Sequence, residues 1–522
     1  MKSWLFLEPD KSEVLCVKKF SLILSVLVLF SGCARLPDNS SKAYSTTLSG
    51  SWEDWADTEL GWQVSAHPDK TGVFLLSDGL DAFTARAALI KMATVGLDVQ
   101  YYLFHDDMTG TVLASLLVDA ADRGVRVRLL VDDMGLSGRD HSIQLLDSHP
   151  NINIRIFNPF SRSKARMMQM LTRFGSVTRR MHNKSLTADN LLSIVGGRNI
   201  GDEYFSANPV VEFGDLDVLV AGDIVSQVSD SFDEYWNSSY SYPIALLTGD
   251  VDLAEFNEKQ DGLKSQYLKA KKSKYAEELQ ATDLVQKTSE ALKRFDWVDA
   301  DVFSDPPKKI SDSTRANPVS ILSDVMGSLS DMENELLIIS PYFVPGKEGV
   351  AFFKALVKRG VRVRILTNSL ASNDVKIVHG GYAKYRKSLL RAGAELYELS
   401  SKLSKKMKKK KGGSRASLHA KSFIMDRTKI FIGSLNLDPR SVVENTEIGI
   451  VFTSSKYGEE IGRNFDEEIG ASAFQLKLVD GDIQWIEKRG EKEIIHTTEP
   501  HTSFWDRASV WLLSLLPVES QL

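Results

Sequence analysis

The fold of this chain is decided by the stretch His182-Asn183-Lys184-Ser-Leu-Thr-Ala-Asp189, in which the spacing is His-x-Lys-x-x-x-x-Asp. The same spacing returns in His419-Ala420-Lys421-Ser-Phe-Ile-Met-Asp426. Gly197-Arg198-Asn199 follows the first copy, and Ser434-Leu435-Asn436 follows the second at the same offset, since 419 − 182 and 436 − 199 both equal 237. The chain is therefore an internal duplication in which each half supplies one histidine and one lysine to a site.

The duplication extends upstream of the motifs. Arg123-Gly-Val-Arg-Val-Arg-Leu-Leu reappears as Arg359-Gly-Val-Arg-Val-Arg-Ile-Leu. Each half also shows a strand, a helix and a second strand in series, which implies parallel pairing and an α/β layer structure. The predicted elements are strand 97–104, helix 112–120 and strand 125–131 in the first half, and strand 336–339, helix 350–358 and a strand ending at Leu366 in the second, with Gly124 and Gly360 as helix stops.

This pattern resembles the phospholipase D superfamily, whose members carry two His-Lys-Asp motifs, and the match runs from about Phe74 to Asp466. Within the superfamily the chain looks most like the bacterial cardiolipin synthases of the C-type. Blocks that carry this likeness include Asp98-Val-Gln-Tyr-Tyr, Ser340-Pro-Tyr-Phe-Val-Pro and Asn436-Leu-Asp-Pro-Arg-Ser. The resemblance implies an α/β fold of tandem duplicated phospholipase D-type domains, each a mixed, mostly parallel sheet flanked by helices, which share one active site.

The paired motifs suit metal-free cleavage of a phosphodiester. One neutral imidazole attacks phosphorus, and the other histidine donates a proton to the leaving alcohol. By resemblance, His182 is the nucleophile and His419 is the acid. The lysines and the two asparagines are expected to surround the phosphate and stabilise its charge. The residues assigned to this chemistry are His182, Lys184, Asp189, His419, Lys421 and Asp426, with Asn199 and Asn436 as phosphate-binding residues.

Each catalytic histidine also requires a carboxylate that orients its second ring nitrogen. The candidates are Asp217, which follows His182 by 35 residues, and Glu447, which follows His419 by 28. Within the motifs, Asp189 and Asp426 fall at turn residues that follow the strands. We therefore expect these two aspartates to brace the turns.

The composition excludes several classes of protein. With 43% hydrophobic and 25% charged residues, the chain is typical of a globular protein with a sizeable core. The net charge of −5 gives no overall attraction to anionic partners, and the two cysteines, Cys16 and Cys33, both precede the globular part. A disulfide framework and a cysteine-based metal site are thus excluded. No zinc-binding His-Glu-x-x-His or glycine-rich phosphate loop occurs, so we expect neither a metal nor a cofactor.

The N-terminus has the pattern of a secretory signal. Lys18-Lys19 precedes the apolar run 20–30, and Ser31-Gly32-Cys33 follows it. This ending resembles a bacterial lipoprotein cleavage site, with Cys33 as the lipidated first residue. The alternative is an uncleaved hydrophobic anchor. The predicted segments are a signal (1–33), a tether (34–72), repeat 1 (73–250), a helical linker (251–315), repeat 2 (316–480) and a membrane-associating tail (481–522).

Three further stretches predict contact with a membrane surface. The run 402–415 carries eight basic residues and no acid, the segment 155–180 mixes methionine and phenylalanine with arginine, and the tail from Phe504 to Pro517 is apolar with two tryptophans. The run 402–415 is equally typical of a solvated loop, and the segment 155–180 of a core-packing helix. We expect a protein that is lipid-anchored on the periplasmic side of a bacterial envelope, with phospholipid substrates and no nucleic acid.

The resemblance implies phosphatidyl transfer to phosphatidylglycerol through a phosphohistidine, which makes cardiolipin. It also implies that the donor is phosphatidylglycerol or phosphatidylethanolamine. A hydrolytic phospholipase D differs only in whether water or a lipid hydroxyl reaches the intermediate, so the motifs do not separate the two. A nuclease of the same superfamily and an inactive membrane scaffold are the weaker alternatives. The sequence leaves the oligomeric state open.

Overall fold

The computed structural model describes residues 36–173, 175–208, 211–249, 294–312, 320–328, 331–401 and 415–514, with isolated positions between 262 and 277. Several sequence predictions lie outside these residues. They are the signal with Cys33, nearly all of the basic run 402–415, most of the helical linker, and the end of the tail beyond Ser514.

In the described part of the first half, nine strands form one sheet with the order β10-β1-β8-β6-β5-β2-β3-β4-β9. The strands of this half are β1 (Thr71–Leu76), β2 (Gly96–Tyr101), β3 (Arg126–Asp132), β4 (Ile152–Phe157), β5 (Ser185–Ala188), β6 (Leu192–Gly196), β7 (Val211–Gly214), β8 (Asp217–Ala221), β9 (Ser241–Pro243) and β10 (Asp296–Val298). Strand β7 lies outside this sheet.

The described residues of the second half form a ten-stranded sheet with the order β11-β18-β17-β16-β12-β13-β14-β19-β20-β21. Its strands, together with β15, are β11 (Ala300–Ser304), β12 (Glu335–Ile339), β13 (Arg362–Asn368), β14 (Glu395–Leu399), β15 (Arg415–Leu418), β16 (Ser422–Met425), β17 (Lys429–Gly433), β18 (Ile448–Thr453), β19 (Ala473–Val479), β20 (Asp482–Arg489) and β21 (Lys492–His496).

The two sheets repeat one topology. The order β8-β6-β5-β2-β3-β4 in the first corresponds to β18-β17-β16-β12-β13-β14 in the second. In both sheets the three strands at the end of this series pair in parallel, and the others pair antiparallel. The predicted α/β class with two duplicated domains is therefore confirmed.

Helices cover both faces of each sheet. In the first half, Leu129 of β3 belongs to the core that the helices 79–92 and 108–122 help to form. Its neighbour Leu130 points to the other face and packs with Phe232 of the helix 224–237. The helices are α1 (Glu59–Ala66), α2 (Gly79–Met92), α3 (Met108–Asp122), α4 (Asp140–Asp147), α5 (Arg166–Thr172), α6 (Ile224–Asn237), α7 (Ile244–Thr248), α8 (Ile321–Ser328), α9 (Gly346–Lys358), α10 (Lys376–Ala383), α11 (Arg386–Ala392), α12 (Ser455–Ser472) and α13 (Phe504–Ser514).

Two glycines end equivalent helices in the two halves. Gly124 follows α3 with φ of +94°, and Gly360 follows α9 with φ of +95°. This left-handed conformation favours glycine because it has no Cβ atom. The predicted helix stops are confirmed. After each glycine the backbone enters a parallel strand, β3 in the first half and β13 in the second.

The halves share a hydrophobic core. Val195 and Val218, at the ends of β6 and β8 in the first half, lie in one buried cluster with Ile432 and Ile448 of β17 and β18. All four side chains are almost fully buried. Packing these strands against each other brings together the edges at which both His-Lys-Asp motifs are found.

Three of the predicted segments differ from the structure. The tether already belongs to repeat 1, because Ser45 and Thr47 hydrogen-bond Arg128 and helix α1 lies within it. The linker supplies β10 to the first sheet and β11 to the second. The predicted tail begins with β20 and β21, which extend the second sheet. The tether residues and the strands β10 and β11 contact partners far away in sequence, which local patterns do not indicate, whereas β20 and β21 continue from β19 as consecutive antiparallel strands.

The segment 155–180 is mainly a core element and not a membrane face. Phe157 and Phe160 are fully buried, and the guanidinium of Arg180 pairs with Asp132 inside the protein. Met167 is its one large hydrophobic side chain that is strongly exposed among the described residues. No helix in the described part of the chain is long and apolar enough to cross a membrane.

Candidate active site

Each motif is held in place by the opposite half of the chain. The backbone N–H of His182 donates to the carbonyl of Thr446 at 2.9 Å, and the N–H of His419 donates to the carbonyl of Gly214 at 2.8 Å. Strand β15, which leads to His419, pairs in parallel with β7 of the first half. Strands β5 and β16 begin one residue after each lysine, because the backbone of each histidine pairs with the opposite half.

Each histidine also contacts a carboxylate that comes from the opposite half of the chain. His182 Nδ1 lies 2.8 Å from Glu447 Oε2, and His419 Nδ1 lies 2.6 Å from Asp215 Oδ2. From the sequence we expected Glu447 to orient His419, in its own half. Glu447 does contact a motif histidine, but that histidine is His182 of the other half.

Asp217 does not contact either histidine. Its carboxylate pairs with Arg86 at 2.8 Å and with Arg198 at 3.1 Å, and all three side chains are buried. Asp217 is the first residue of β8 and its side chain meets helix α2, whereas Asp215 lies before the strand, where the backbone reaches the second half. The prediction that Asp217 orients His182 is wrong: Glu447 contacts His182, and Asp215 contacts His419.

The backbone pairing beside the strands shows that Asp215 and Glu447 occupy equivalent positions in the two halves. Gly197 N–H donates to the carbonyl of Leu216, and Ser434 N–H donates to the carbonyl of Ile448. Gly197 and Ser434 occupy matching positions in the duplication, so the residues before their partners, Asp215 and Glu447, also match. Spacing alone does not mark Asp215 in the sequence, since it lies 16 residues after Asn199 whereas Glu447 lies 11 residues after Asn436, and Asp217 is the acidic residue directly before the apolar run.

The motif lysines lie beside the histidines. Lys184 and Lys421 are each 1% exposed. Lys421 Nζ lies 2.9 Å from His419 Nδ1, and the Lys184 ammonium donates to the His182 carbonyl. Among the described residues neither lysine has an ion pair with a carboxylate, and burial lowers the pKa of both, so an anion that enters the site would favour their charged forms.

Aromatic rings that the sequence analysis did not assign enclose the two imidazoles. Tyr102 packs edge-on against His182 with ring centroids 5.1 Å apart. Tyr204 packs edge-on against His419 at 5.0 Å, and Phe213 stacks on the same ring at 5.5 Å. Tyr102 is the last residue of the family-like block Asp98-Val-Gln-Tyr-Tyr. These rings exclude water and fix the orientation of both imidazoles.

The two asparagines follow β6 and β17 into the site. Asn199 accepts from the Leu103 N–H and donates to the Tyr204 hydroxyl at 3.0 Å. Asn436 is buried, and its Oδ1 has no hydrogen-bond partner among the described residues. An unsatisfied buried amide is costly unless a ligand completes its bonding. Asn436 is thus suited to contact a bound substrate.

The motif aspartates brace turns and do not face the histidines. Asp189 accepts from the N–H groups of Thr94, Val95 and Gly96 at 2.8 Å. Asp426 accepts from the N–H groups of residues 333, 334 and 335 at 2.7 to 2.8 Å. The two contacts are equivalent in the duplication and fix β2 and β12 beside the motif strands. They give Asp189 and Asp426 the turn-bracing role.

The site holds its titratable groups away from their ordinary pKa values. Burial, together with Lys184 and Lys421, lowers the pKa of His182, so this imidazole is neutral at pH 7. Burial also lowers the pKa of Lys421 to about 8. Although burial opposes it, His419 and Lys421 hold the pKa of Asp215 well below its ordinary value.

Glu447 behaves differently from its counterpart. Burial raises the pKa of Glu447 to about 7, although Lys184 opposes the shift. The histidine of the second half therefore faces an ionised carboxylate, and the histidine of the first half faces one that titrates near neutrality. An ionised partner stabilises an imidazolium, so the two imidazoles of the duplicated motif are not chemically equivalent.

A family model described as cardiolipin synthase, phospholipase D-like domain, matches residues 87–236 and 327–469. The chain belongs to this family. The two matched regions of the cardiolipin synthase family correspond to the two halves of the duplication, and each contains one motif. The resemblance drawn from the sequence is confirmed.

Individual relatives support the assignment to the cardiolipin synthase family. Cardiolipin synthase C of Escherichia coli (strain K12) is 43% identical over 462 residues, which cover 87% of this chain and 97% of that protein. An uncharacterised protein of Helicobacter pylori (strain 26695) is 33% identical over 500 residues, 94% of this chain and 97% of that one. The crystal structure of phosphatidylserine synthase from Haemophilus influenzae shares the fold, with 13% identity, a TM-score of 0.51, and coverage of 80% of this chain and 92% of that one.

Proposed function

We propose that this chain makes cardiolipin by transferring a phosphatidyl group to the free hydroxyl of phosphatidylglycerol. The donor is phosphatidylglycerol or phosphatidylethanolamine. The similarity to cardiolipin synthase C over most of both chains supports this function. The observation that carries the proposal is the crossed pair of histidine–carboxylate contacts, which makes one complete site from two incomplete halves.

In the first step His182 Nε2 attacks the phosphorus of the donor. The bond between phosphorus and the headgroup oxygen breaks, and the protonated His419 gives that oxygen its proton. The result is a phosphatidyl group on His182 and a free headgroup alcohol. Glu447 accepts the Nδ1–H of His182 and stabilises the positive charge that the ring gains.

In the second step the acceptor replaces the leaving alcohol. The neutral His419 takes the proton of the acceptor hydroxyl, and the oxygen of that hydroxyl attacks phosphorus. The bond from phosphorus to His182 breaks, which restores the neutral imidazole. Lys184, Lys421 and Asn436 surround the phosphoryl oxygens in both steps and stabilise the charge of each transition state.

The roles of the two histidines follow from their partners. A nucleophile must be neutral, and the lowered pKa of His182 meets this requirement. The acid must hold a proton before the first step; burial and Lys421 lower the pKa of His419, and the ionised Asp215 opposes this shift and so favours the protonated ring. These observations support His182 as the nucleophile and His419 as the acid and base.

Contact with a membrane is supported by helix α13. Phe504, Trp505, Trp511 and Leu512 are all more than 60% exposed, and Val510 is buried on the opposite side. Amphipathic helices with exposed tryptophan lie at the interface of a bilayer. We propose that α13 docks on the lipid surface and that a lipid on Cys33 tethers the chain to the periplasmic side of the envelope.

The test of the function is the product formed in vesicles. Purified protein is mixed with vesicles of phosphatidylglycerol, alone or with phosphatidylethanolamine, and the lipids are measured by mass spectrometry. We expect cardiolipin as the main product, because rings and apolar side chains around the histidines exclude water. Phosphatidic acid as the main product in phosphatidylglycerol-rich vesicles would show a hydrolytic phospholipase D instead.

A further inference from the structure

A cavity of about 550 Å³ lies in the first half, away from the histidines. It is bounded by helices α3 and α4 and by strands β3 and β4. We name it the α3–α4 groove and define it by Leu117, Val118, Leu129, Ile143, Leu146 and Ile154, all of which line it. No contact described for the catalytic residues involves these side chains.

The groove is elongated along the strands. Val127, Leu129 and Val131 alternate on β3, so their side chains lie on the same face and form its floor. From Val127 to Val131 the strand rises about 13 Å. Val118 and Ile143 on the two helices are only half-buried, so apolar surface of the groove remains open to a ligand.

One end of the groove reaches the active site. Phe104 and His105 line this end, and they follow Tyr102, whose ring packs against His182. The same short segment is tied to the asparagine of the site, since Leu103 N–H donates to Asn199 Oδ1 and His105 N–H donates to the Ile200 carbonyl. Only Leu103 separates Tyr102 from Phe104, so their backbones are at most about 7 Å apart.

The end of the groove next to the active site carries polar groups. His105, Asp106 and Arg139 lie at the end next to the active site, and the Arg139 guanidinium donates to the Phe104 carbonyl at 2.6 Å. The walls between the ends are mainly aliphatic. A ligand that fits this arrangement has a polar part at the histidines and a long hydrocarbon part that runs along β3.

We propose that the α3–α4 groove binds one fatty acyl chain of the phospholipid whose phosphate lies between His182 and His419. This inference rests on the proposed function and adds a binding site for the hydrocarbon part of its substrate. The glycerol ester of a phospholipid is a few bonds from the phosphate, which matches the short distance from Tyr102 to Phe104. The chain then leaves the bilayer and lies on β3, where aliphatic side chains replace the lipid around it.

The first test fills the groove and compares chain lengths. Ala114 of α3 lines the groove, so Ala114→Trp should occupy the space of the hydrocarbon chain. His141 of α4 is exposed and does not line the groove, so His141→Trp is the matched control. Activity is measured in detergent micelles with phosphatidylglycerol that carries two palmitoyl or two hexanoyl chains.

For Ala114→Trp we expect KM for the palmitoyl lipid to rise about tenfold, the loss that corresponds to two methylene groups no longer buried. The hexanoyl lipid should be turned over as by the unmodified protein, and His141→Trp should leave the preference between the two lipids unchanged. Equal losses for both lipids, or no change in the preference, would overturn the groove assignment.

The second test does not depend on turnover. Phosphatidylglycerol with a diazirine near the end of one acyl chain is photolysed in micelles with the protein, and the labelled peptides are identified. We expect labels on residues 110–118 and 143–154, which Ala114→Trp reduces and His141→Trp does not. Labels on α13 alone would show that the chain stays at the membrane surface and would overturn the proposal.

The two tests separate this inference from the proposed function. If neither lipid yields cardiolipin while the groove is labelled, the function fails and the acyl site stands. If both lipids yield cardiolipin with an unlabelled groove, the function stands and the acyl site fails.

Discussion

At the residue scale, a hydrogen bond of 2.6 Å joins His419 to Asp215, although 204 residues separate them in the chain. The bond of 2.8 Å between His182 and Glu447 spans 265 residues. Each imidazole is therefore oriented only when both halves have folded and packed. Two aspartates of similar position, Asp215 and Asp217, thus serve different purposes, since one orients a histidine and the other neutralises two buried arginines.

We predict opposite effects for conservative changes at these two aspartates. Asp215→Asn should lower kcat about 100-fold, because His419 loses its ionised partner but keeps its place. Asp217→Asn leaves Arg86 and Arg198 buried without a carboxylate, which should cost about 3 kcal/mol of unfolding free energy. Vesicle assays and urea unfolding measure the two quantities. The reverse pattern would return the orienting role to Asp217.

Glu447 should make the stability of the protein depend on pH. Its pKa in the folded protein is about 7, above its ordinary value of 4.5, so ionisation is easier in the unfolded chain. Glu447 therefore contributes most to the stability of the fold below about pH 4.5, and this contribution is lost as the pH rises through 7.

Glu447→Gln cannot ionise and should escape this loss. We expect its unfolding free energy, relative to the unmodified protein, to increase by about 3 kcal/mol between pH 4.5 and pH 8. Its activity should fall because His182 loses its orienting carboxylate. Chemical denaturation at several pH values measures the difference, in which the titration of other groups largely cancels. A constant difference across this range would contradict the buried, neutral state of Glu447.

At the scale of elements, helix α13 combines exposed aromatic rings with a fixed position on α10. Its Asp506 pairs with Lys376, and the space beside Gly380 is filled by the backbone of Val510. The exposed side of the helix is thus held in a defined direction, as a surface that docks on lipid requires.

We predict that Trp505→Ala combined with Trp511→Ala lowers binding to phosphatidylglycerol vesicles at least tenfold, since two interfacial rings are lost. Turnover of a short-chain lipid in solution should stay the same, because α13 does not contact the histidines. The matched control is Trp62→Ala, a change of an equally exposed tryptophan on α1. Sedimentation with vesicles gives the binding. An equal effect of the control would show that α13 is not the docking element.

The sequence predicted those parts of the fold that have a local signal. The strands and helices around Gly124 and Gly360 follow from periodicity and helix stops, and the duplication follows from repeated motifs. The crossed pairing could not be predicted, because it depends on how β6 and β8 pack against β17 and β18. For the same reason Asp215 was missed: the two halves differ in loop length before the orienting carboxylate, so counting residues from each histidine selected Asp217.

At the scale of the whole molecule, neither half contains a complete site. Each half has one histidine, one lysine and one asparagine, and it receives its orienting carboxylate from the other half. The core that joins the sheets is therefore part of the catalytic apparatus, since a shift of one half against the other would separate His182 from Glu447 and His419 from Asp215 at once.

The most direct test of this shared site is the turnover of His182→Ala and His419→Ala, each measured separately in phosphatidylglycerol vesicles with circular dichroism as a control for folding. We predict that both variants keep the native fold and that neither forms cardiolipin or phosphatidic acid, because each lacks either the nucleophile or the acid. Substantial product from either folded variant would show that one half acts alone and would contradict the account.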